Sequence, residues 1–301
     1  MRKLLRISGL LLLVLAAVPL LLALSLPIDA ALGADRVTAL TNTDIAGPDG
    51  NLRAYVARPA TPGPHPAVIM IHEWWGLRPE IVEKADALAA QGFVVIAPDT
   101  FRGSSTGWIP RAIYQVATTP SARVNADLDA VFSWLTTQAD VAAERVAVIG
   151  FCYGGRAALS YTVHNPMIAA TAVFYGMTEF SQAELATIRG PVLGIWGGAD
   201  TSIPLTEVAR LESDLRSAGV TVDFRIFENQ PHAFVGGIEQ IRAGGAPADA
   251  WRLLEQFLGS ALRGTSSSSL PVSLSAPPPP AAAVPAPLAA LHHWFVCELP
   301  S

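Results

Sequence analysis

Five short apolar runs recur through the middle of the chain: Val68-Ile69-Met70-Ile71, Phe93-Val94-Val95-Ile96, Val146-Ala147-Val148-Ile149, Ala170-Thr171-Ala172-Val173-Phe174 and Val192-Leu193-Gly194-Ile195. Runs this short and this continuous predict strands buried on both faces, as a parallel sheet requires. Between them apolar residues repeat at helical spacing. Ile81, Ala85 and Leu88 form one stripe, and Val124, Leu128, Val131 and Leu135 another, with Ser121 placed as an N-cap. Leu205, Val208, Leu211 and Leu215 follow Pro204, while Trp251, Leu254, Leu258 and Leu262 end at Gly264, a C-cap residue. Alternating strands and helices predict an α/β fold, a mostly parallel central sheet with helices on both faces. Val37–Thr43 and Leu52–Arg58 read as antiparallel leading strands joined by Gly47-Pro48-Asp49-Gly50. Together these segments make one domain over residues 35–264, without an internal repeat.

The two ends read differently. Arg2, Lys3 and Arg6 precede an uncharged run from Ile7 to Ile28, and Ala31-Leu32-Gly33 has the small residues of a cleavage site. Residues 1–34 are therefore expected to be a signal peptide or a membrane anchor, with the rest of the chain exported, periplasmic or extracellular, or held at the membrane by this segment alone. Pro19 and Pro27 would interrupt a helix there. Residues 265–301 contain Thr265-Ser266-Ser267-Ser268-Ser269, Pro277-Pro278-Pro279-Pro280 and an Ala/Pro stretch, and are expected to be a disordered tail. His292, His293 and Cys297 within it lack zinc-site spacing.

Composition narrows the function. With 51% hydrophobic and 15% charged residues the chain can bury a sizeable core. A net charge of −5 and no basic stretch exclude a nucleic-acid partner. Two cysteines, Cys152 and Cys297, are too few for a disulfide scaffold or a cysteine-built zinc site. No phosphate-binding glycine loop opens a first helix and no ligand cluster appears, so no metal, nucleotide or flavin cofactor is expected.

Chemistry in such sheets lies beyond the carboxyl ends of the strands. Those ends carry His72-Glu73-Trp74-Trp75-Gly76, Pro98-Asp99-Thr100-Phe101-Arg102, Gly150-Phe151-Cys152-Tyr153-Gly154-Gly155, Gly197-Gly198-Ala199-Asp200 and Gln230-Pro231-His232. Gly150-Phe151-Cys152-Tyr153-Gly154 has the form of a nucleophile elbow with cysteine in place of serine. A helix N-terminus behind Cys152 would favour a thiolate. Asp200 and His232 follow in the order nucleophile, acid, histidine. His232 would take the thiol proton and return it to the leaving group, while Asp200 fixes the imidazole tautomer. Glu73, between Ile71 and two tryptophans, would have a raised pKa suited to handling a proton. The backbone N–H groups of Tyr153 and Trp74 are the expected oxyanion donors. Trp74, Trp75, Phe101 and Trp108 are candidate walls of a substrate pocket.

The combination of His72-Glu73-Trp74-Trp75-Gly76-Leu77, Ala97-Pro98-Asp99, Gly150-Phe151-Cys152-Tyr153-Gly154-Gly155, Gly198-Ala199-Asp200 and Pro231-His232-Ala233-Phe234 resembles the dienelactone hydrolases, or carboxymethylenebutenolidases, from about Val37 to Leu262. The resemblance implies an α/β-hydrolase fold and a Cys152–Asp200–His232 triad. It also implies that Glu73 controls the thiol and moves to take its proton when substrate binds. The substrate implied is a small-molecule ester or lactone. The family's two carboxylate-binding arginines are met only in part: Arg102 stands near the first place, and Gly236 occupies the second. Hydrolysis of an ester or lactone is therefore the expectation, rather than of dienelactone itself. A related esterase, thioesterase or acyl-peptide hydrolase on the same fold, and a non-catalytic exported binding protein, stay open as alternatives.

Overall fold

A computed structural model describes residues 27–263 together with Ala17, Leu21 and Ser25. Gly264, expected as a C-cap, the tail after it with Cys297, and most of the apolar run at the start lie outside the described residues. Helix α1 occupies residues 27–40 and leads into the hairpin of β1 (Thr43–Gly47) and β2 (Gly50–Ala57). Then follow β3 (His65–Ile71), α2 (Pro79–Ala90), β4 (Val94–Pro98), α3 (Ile109–Ala117), α4 (Ser121–Thr136) and β5 (Val141–Phe151). The second half comprises α5 (Tyr153–His164), β6 (Ala170–Phe174), α6 (Gln182–Leu185), β7 (Val192–Gly197), α7 (Leu205–Ser217), β8 (Val222–Phe227), α8 (Ile238–Arg242) and α9 (Ala246–Arg263).

The strands form one sheet in the order β1-β2-β4-β3-β5-β6-β7-β8. The two pairings of β2 are antiparallel and all others parallel. Side chains alternate between two cores even though the runs are uniformly apolar. Val68 and Met70 join Leu88, Val95, Trp251 and Leu254 on one face, while Ala67, Ile69 and Ile71 join Leu128, Val131 and Leu135 on the other. A strand covered on both sides has no polar face to show, which is why its sequence does not alternate.

The segment Val37–Thr43 is not a strand. Residues 37–40 close α1, with the Thr41 N–H bonded to the Val37 carbonyl, and β1 begins at Thr43. Val37 is buried and Leu40 packs against the core. Two apolar residues three apart satisfy a helix face as well as a short strand, so the pattern alone did not separate them. The N-caps of α4 and α7 are Pro120 and Pro204, making Ser121 the first helical residue. Among the described residues no helix is long and apolar enough to cross a membrane.

The strand order also locates the site. The chain steps from β3 to β4 on one side, then crosses to β5 on the other. The crevice between β3 and β5 is thus the point where winding reverses, the place ligands occupy in open α/β sheets.

Candidate active site

Ile71 of β3 lies opposite Gly150 of β5 in the parallel ladder. Glu73 and Cys152, each two residues further on, therefore leave the sheet at the same level. Cys152 sits between β5 and α5 with φ 54° and ψ −116°. A residue with a β-carbon is strained there, at about 1–3 kcal/mol. The turn is held by the Cys152 N–H to the Phe174 carbonyl at 2.9 Å and the Gly155 N–H to the Cys152 carbonyl at 2.9 Å. A β-carbon on Gly150 would stand 1.9 Å from the Gly154 carbonyl oxygen, and one on Gly154 would stand 2.3 Å from that of Ile71. The elbow's glycines are there because backbone packs against backbone. Tyr153 opens α5, and its N–H points from the helix N-terminus.

Asp200 and His232 emerge from the ends of β7 and β8. Their loops are joined by the Ala199 N–H to the Gln230 carbonyl at 2.9 Å. Asp200 Oδ1 accepts from the Ser202 N–H at 2.8 Å and its hydroxyl at 2.6 Å, leaving Oδ2 for His232 Nδ1 at 2.6 Å. Burial pushes the His232 pKa down, but the hydrogen bond to Asp200 and the neighbouring Cys152 thiol outweigh it, and it is raised to about 10. Burial pushes Asp200 up, and the bonds from His232 and Ser202 bring it below the ordinary carboxylate value. Asp200 thus fixes the imidazole next to the Cys152 thiol, close enough for the thiol to affect the protonation of the ring.

Burial raises the pKa of Glu73, against the attraction of Lys84, His232 and Arg78. The Glu73 carbonyl accepts from the Gly76 N–H at 3.1 Å and from His72 Nδ1 at 2.7 Å. His72 Nε2 in turn accepts from the N–H and hydroxyl of Thr100, just beyond β4. Burial keeps this imidazole neutral, its pKa lowered to about 4. His72 therefore ties the Glu73 peptide to the neighbouring strand end.

The aromatic walls are brought together in part. Phe101, Tyr153 and Val116 form a small cluster against which Trp74 packs. The Trp74 carbonyl accepts from Gln115 of α3, whose other side-chain atom accepts from the Ser104 hydroxyl at 2.7 Å. Trp75 lines a cavity of about 150 Å³ together with Glu73, Arg78, Lys84, Ala233 and Gly236. Trp108 stands ahead of α3, its N–H on the Thr106 hydroxyl, and is not part of the aromatic cluster. Among the described residues no group of three or more His, Cys, Asp or Glu side chains is arranged to hold a metal ion.

A model of the dienelactone hydrolase family matches residues 52–262. The chain belongs to the dienelactone hydrolase family. A protein of Methylorubrum extorquens named "putative carboxymethylenebutenolidase" is 32% identical over 225 residues, covering 69% of this chain and 77% of its own. One of Escherichia coli K12 with the same name is 33% identical over 232 residues, covering 71% and 85%. The crystal structure of a dienelactone hydrolase homologue from Klebsiella pneumoniae superposes with a TM-score of 0.64 at 29% identity, over 72% of this chain and 96% of that one. An acylaminoacyl peptidase of Pyrococcus horikoshii, at 15% identity and a TM-score of 0.62, shares the fold.

In this dienelactone hydrolase family member Arg102 does not reach the cluster around Cys152. Its guanidinium forks onto Asp127 of α4, through Nε at 3.1 Å to Oδ2 and Nη2 to Oδ1, and Nη1 donates to the Asp49 carbonyl at 2.7 Å. Asp127 is a fully buried carboxylate, so it holds the arginine for structural reasons. The place after His232 is Gly236, whose N–H bonds to Gln240 Oε1 at 3.0 Å.

Two residues near the site escaped the sequence reading. Tyr175 follows β6, stacks edge-on against His232 with ring centres 5.2 Å apart, and donates to the Val235 carbonyl at 3.2 Å. It directly follows the last residue of β6, a strand end like those that carry the other site residues. Lys84 lies on the buried face of α2, where a cation within the Ile81–Leu88 stripe was the available signal.

Proposed function

We propose that this chain is a cysteine hydrolase that cleaves a carboxylic ester or lactone through an acyl-enzyme on Cys152. The observation that carries the reading is the His232 imidazole, held by Asp200 through Nδ1 and set next to Cys152, at the switch point of the sheet. In this reading the thiol proton passes to His232, directly or by way of Glu73 once substrate displaces that carboxylate, and the sulfur attacks the carbonyl carbon. The N–H groups of Tyr153 and Trp74 take the charge that develops on the carbonyl oxygen. His232 protonates the departing alkoxide, the C–O bond breaks, and water then hydrolyses the thioester and frees Cys152. With Arg102 held by Asp127 and Gly236 in the second place, an arginine clamp on a substrate carboxylate is not part of the proposal. The apolar run behind Arg2, Lys3 and Arg6 supports action outside the cytoplasm, by export or by anchoring.

The test is mass spectrometry after brief incubation with activated esters, thioesters and lactones. We expect an acyl increment on Cys152, with hydrolysis and increment both absent in Cys152→Ala. Turnover near wild type in that variant would remove the thiol from the mechanism. A preference among the three classes would fix the substrate.

A further inference from the structure

Lys84 is 2% exposed, a rare state for an ammonium group. Its Nζ donates to the Val235 carbonyl at 3.1 Å and lies 4.1 Å from the ring centre of Phe151, the residue before Cys152. The Tyr175 hydroxyl donates to the same carbonyl. Val235 is three residues beyond His232, and between them Ala233 turns through φ 56°. Lys84 of α2 and Tyr175 beyond β6 therefore grip the loop that presents the imidazole.

A carbonyl and an aromatic ring orient an ammonium without neutralising it, and an unpaired buried cation is costly. The charges facing Lys84 are Glu73 from the β3–α2 loop and Glu80 and Glu83 from its own helix. Glu83 is exposed and Glu80 is half-buried at the start of α2, where Arg78 reaches it at 3.4 Å. Glu73 is the anion that shares the interior with Lys84, and both line the cavity of about 150 Å³. Glu73 is also within electrostatic reach of His232 and Arg78.

We propose that Lys84 is a positioning residue of this hydrolase: its ammonium keeps Glu73 ionised and ready to accept the thiol proton, and it pins the loop that holds His232 beside Cys152. The proposal rests on the thiol-hydrolase reading and adds the charge that reading needs, because a buried glutamate without a cation would hold its proton and accept none from the thiol.

The experiment compares kcat/KM against pH for an activated neutral ester in the wild type, Lys84→Gln, Lys84→Met, Lys84→Arg and Glu73→Gln. Glutamine can still donate to the Val235 carbonyl but carries no charge. We expect Lys84→Gln to move the acid limb upward by about one pH unit, a roughly tenfold loss at a fixed acidic pH, carried by kcat more than KM. Lys84→Met should do the same, and Lys84→Arg should keep the limb near wild type. A folded Lys84→Gln with an unmoved limb, while Glu73→Gln abolishes it, would overturn the proposal and leave Lys84 a packing residue. A limb unaffected by Glu73→Gln would instead overturn the role of Glu73 in the parent reading. If neither neutral variant folds, infrared difference spectra of wild type against Glu73→Gln at pH 7 decide. An ionised Glu73 carboxylate supports the proposal, and a protonated one overturns it.

Discussion

Two buried residues at neighbouring strand ends, His72 and Asp99, titrate in the same acid range with opposite consequences. Burial lowers the His72 pKa to about 4, so between there and its ordinary 6.5 the unfolded chain holds more protons. Stability from this source falls as pH falls. Burial raises Asp99 to about 6 against hydrogen bonds from the Gly103 and Phe101 N–H groups. Between 6 and its ordinary 3.8 the folded chain holds more protons, so this contribution grows as pH falls. The two offset each other in the wild type. Asp99→Asn should uncover the histidine, and urea unfolding at pH 6.5 and 4.5 should show a larger difference in the variant than in the wild type. Equal differences would mean that Asp99 titrates alike in both states.

At the scale of elements, the Arg102–Asp127 pair fastens the loop after β4 to α4, and Arg102 also reaches the β1–β2 turn through Asp49. Arg102→Ala would leave a buried carboxylate without its cation, and breaking such a pair from one side costs about 3–5 kcal/mol. The expected result is a loss of that size in denaturant unfolding. KM for an acid-bearing ester and for its neutral analogue should change by the same factor. A rise confined to the anionic ester would return Arg102 to the substrate pocket. Gln115 shows the same division of labour: an α3 side chain positions the Trp74 loop from outside the crevice.

For the whole molecule, α1 matters beyond its place in the sequence. A β-carbon on Gly33 would stand 2.4 Å from the Ser105 carbonyl oxygen, Thr38 accepts from Arg53 of β2, and Val37 is fully buried. Deletion of residues 1–26 should leave activity and unfolding midpoint near those of the full chain. Deletion of 1–40 should lower stability by about 1.5–3 kcal/mol from the valine alone. Equal stability of the two truncations would show that α1 contributes nothing to the domain.

What the amino-acid order determined by itself is whatever depends on neighbours in the chain. The continuous runs at Val68, Val94, Val146, Ala170 and Val192 each became a strand, because burial on both faces leaves no other composition. The elbow was legible at Gly150, Cys152 and Gly154, since a turn that tight admits no side chains at its flanks. Asp200 and His232 could be read from the ends of β7 and β8. What the tertiary structure decided depends on elements far apart in sequence. Whether Arg102 meets a substrate or Asp127 was set by α4 packing beside the loop after β4. Whether residues 37–40 form strand or helix was settled by the core and the 103–107 loop, not by two apolar residues. Lys84 became a neighbour of Glu73 and the His232 loop only when α2 docked its apolar stripe on the sheet. Local pattern sets the elements, while the partner of a buried charge follows from how they pack.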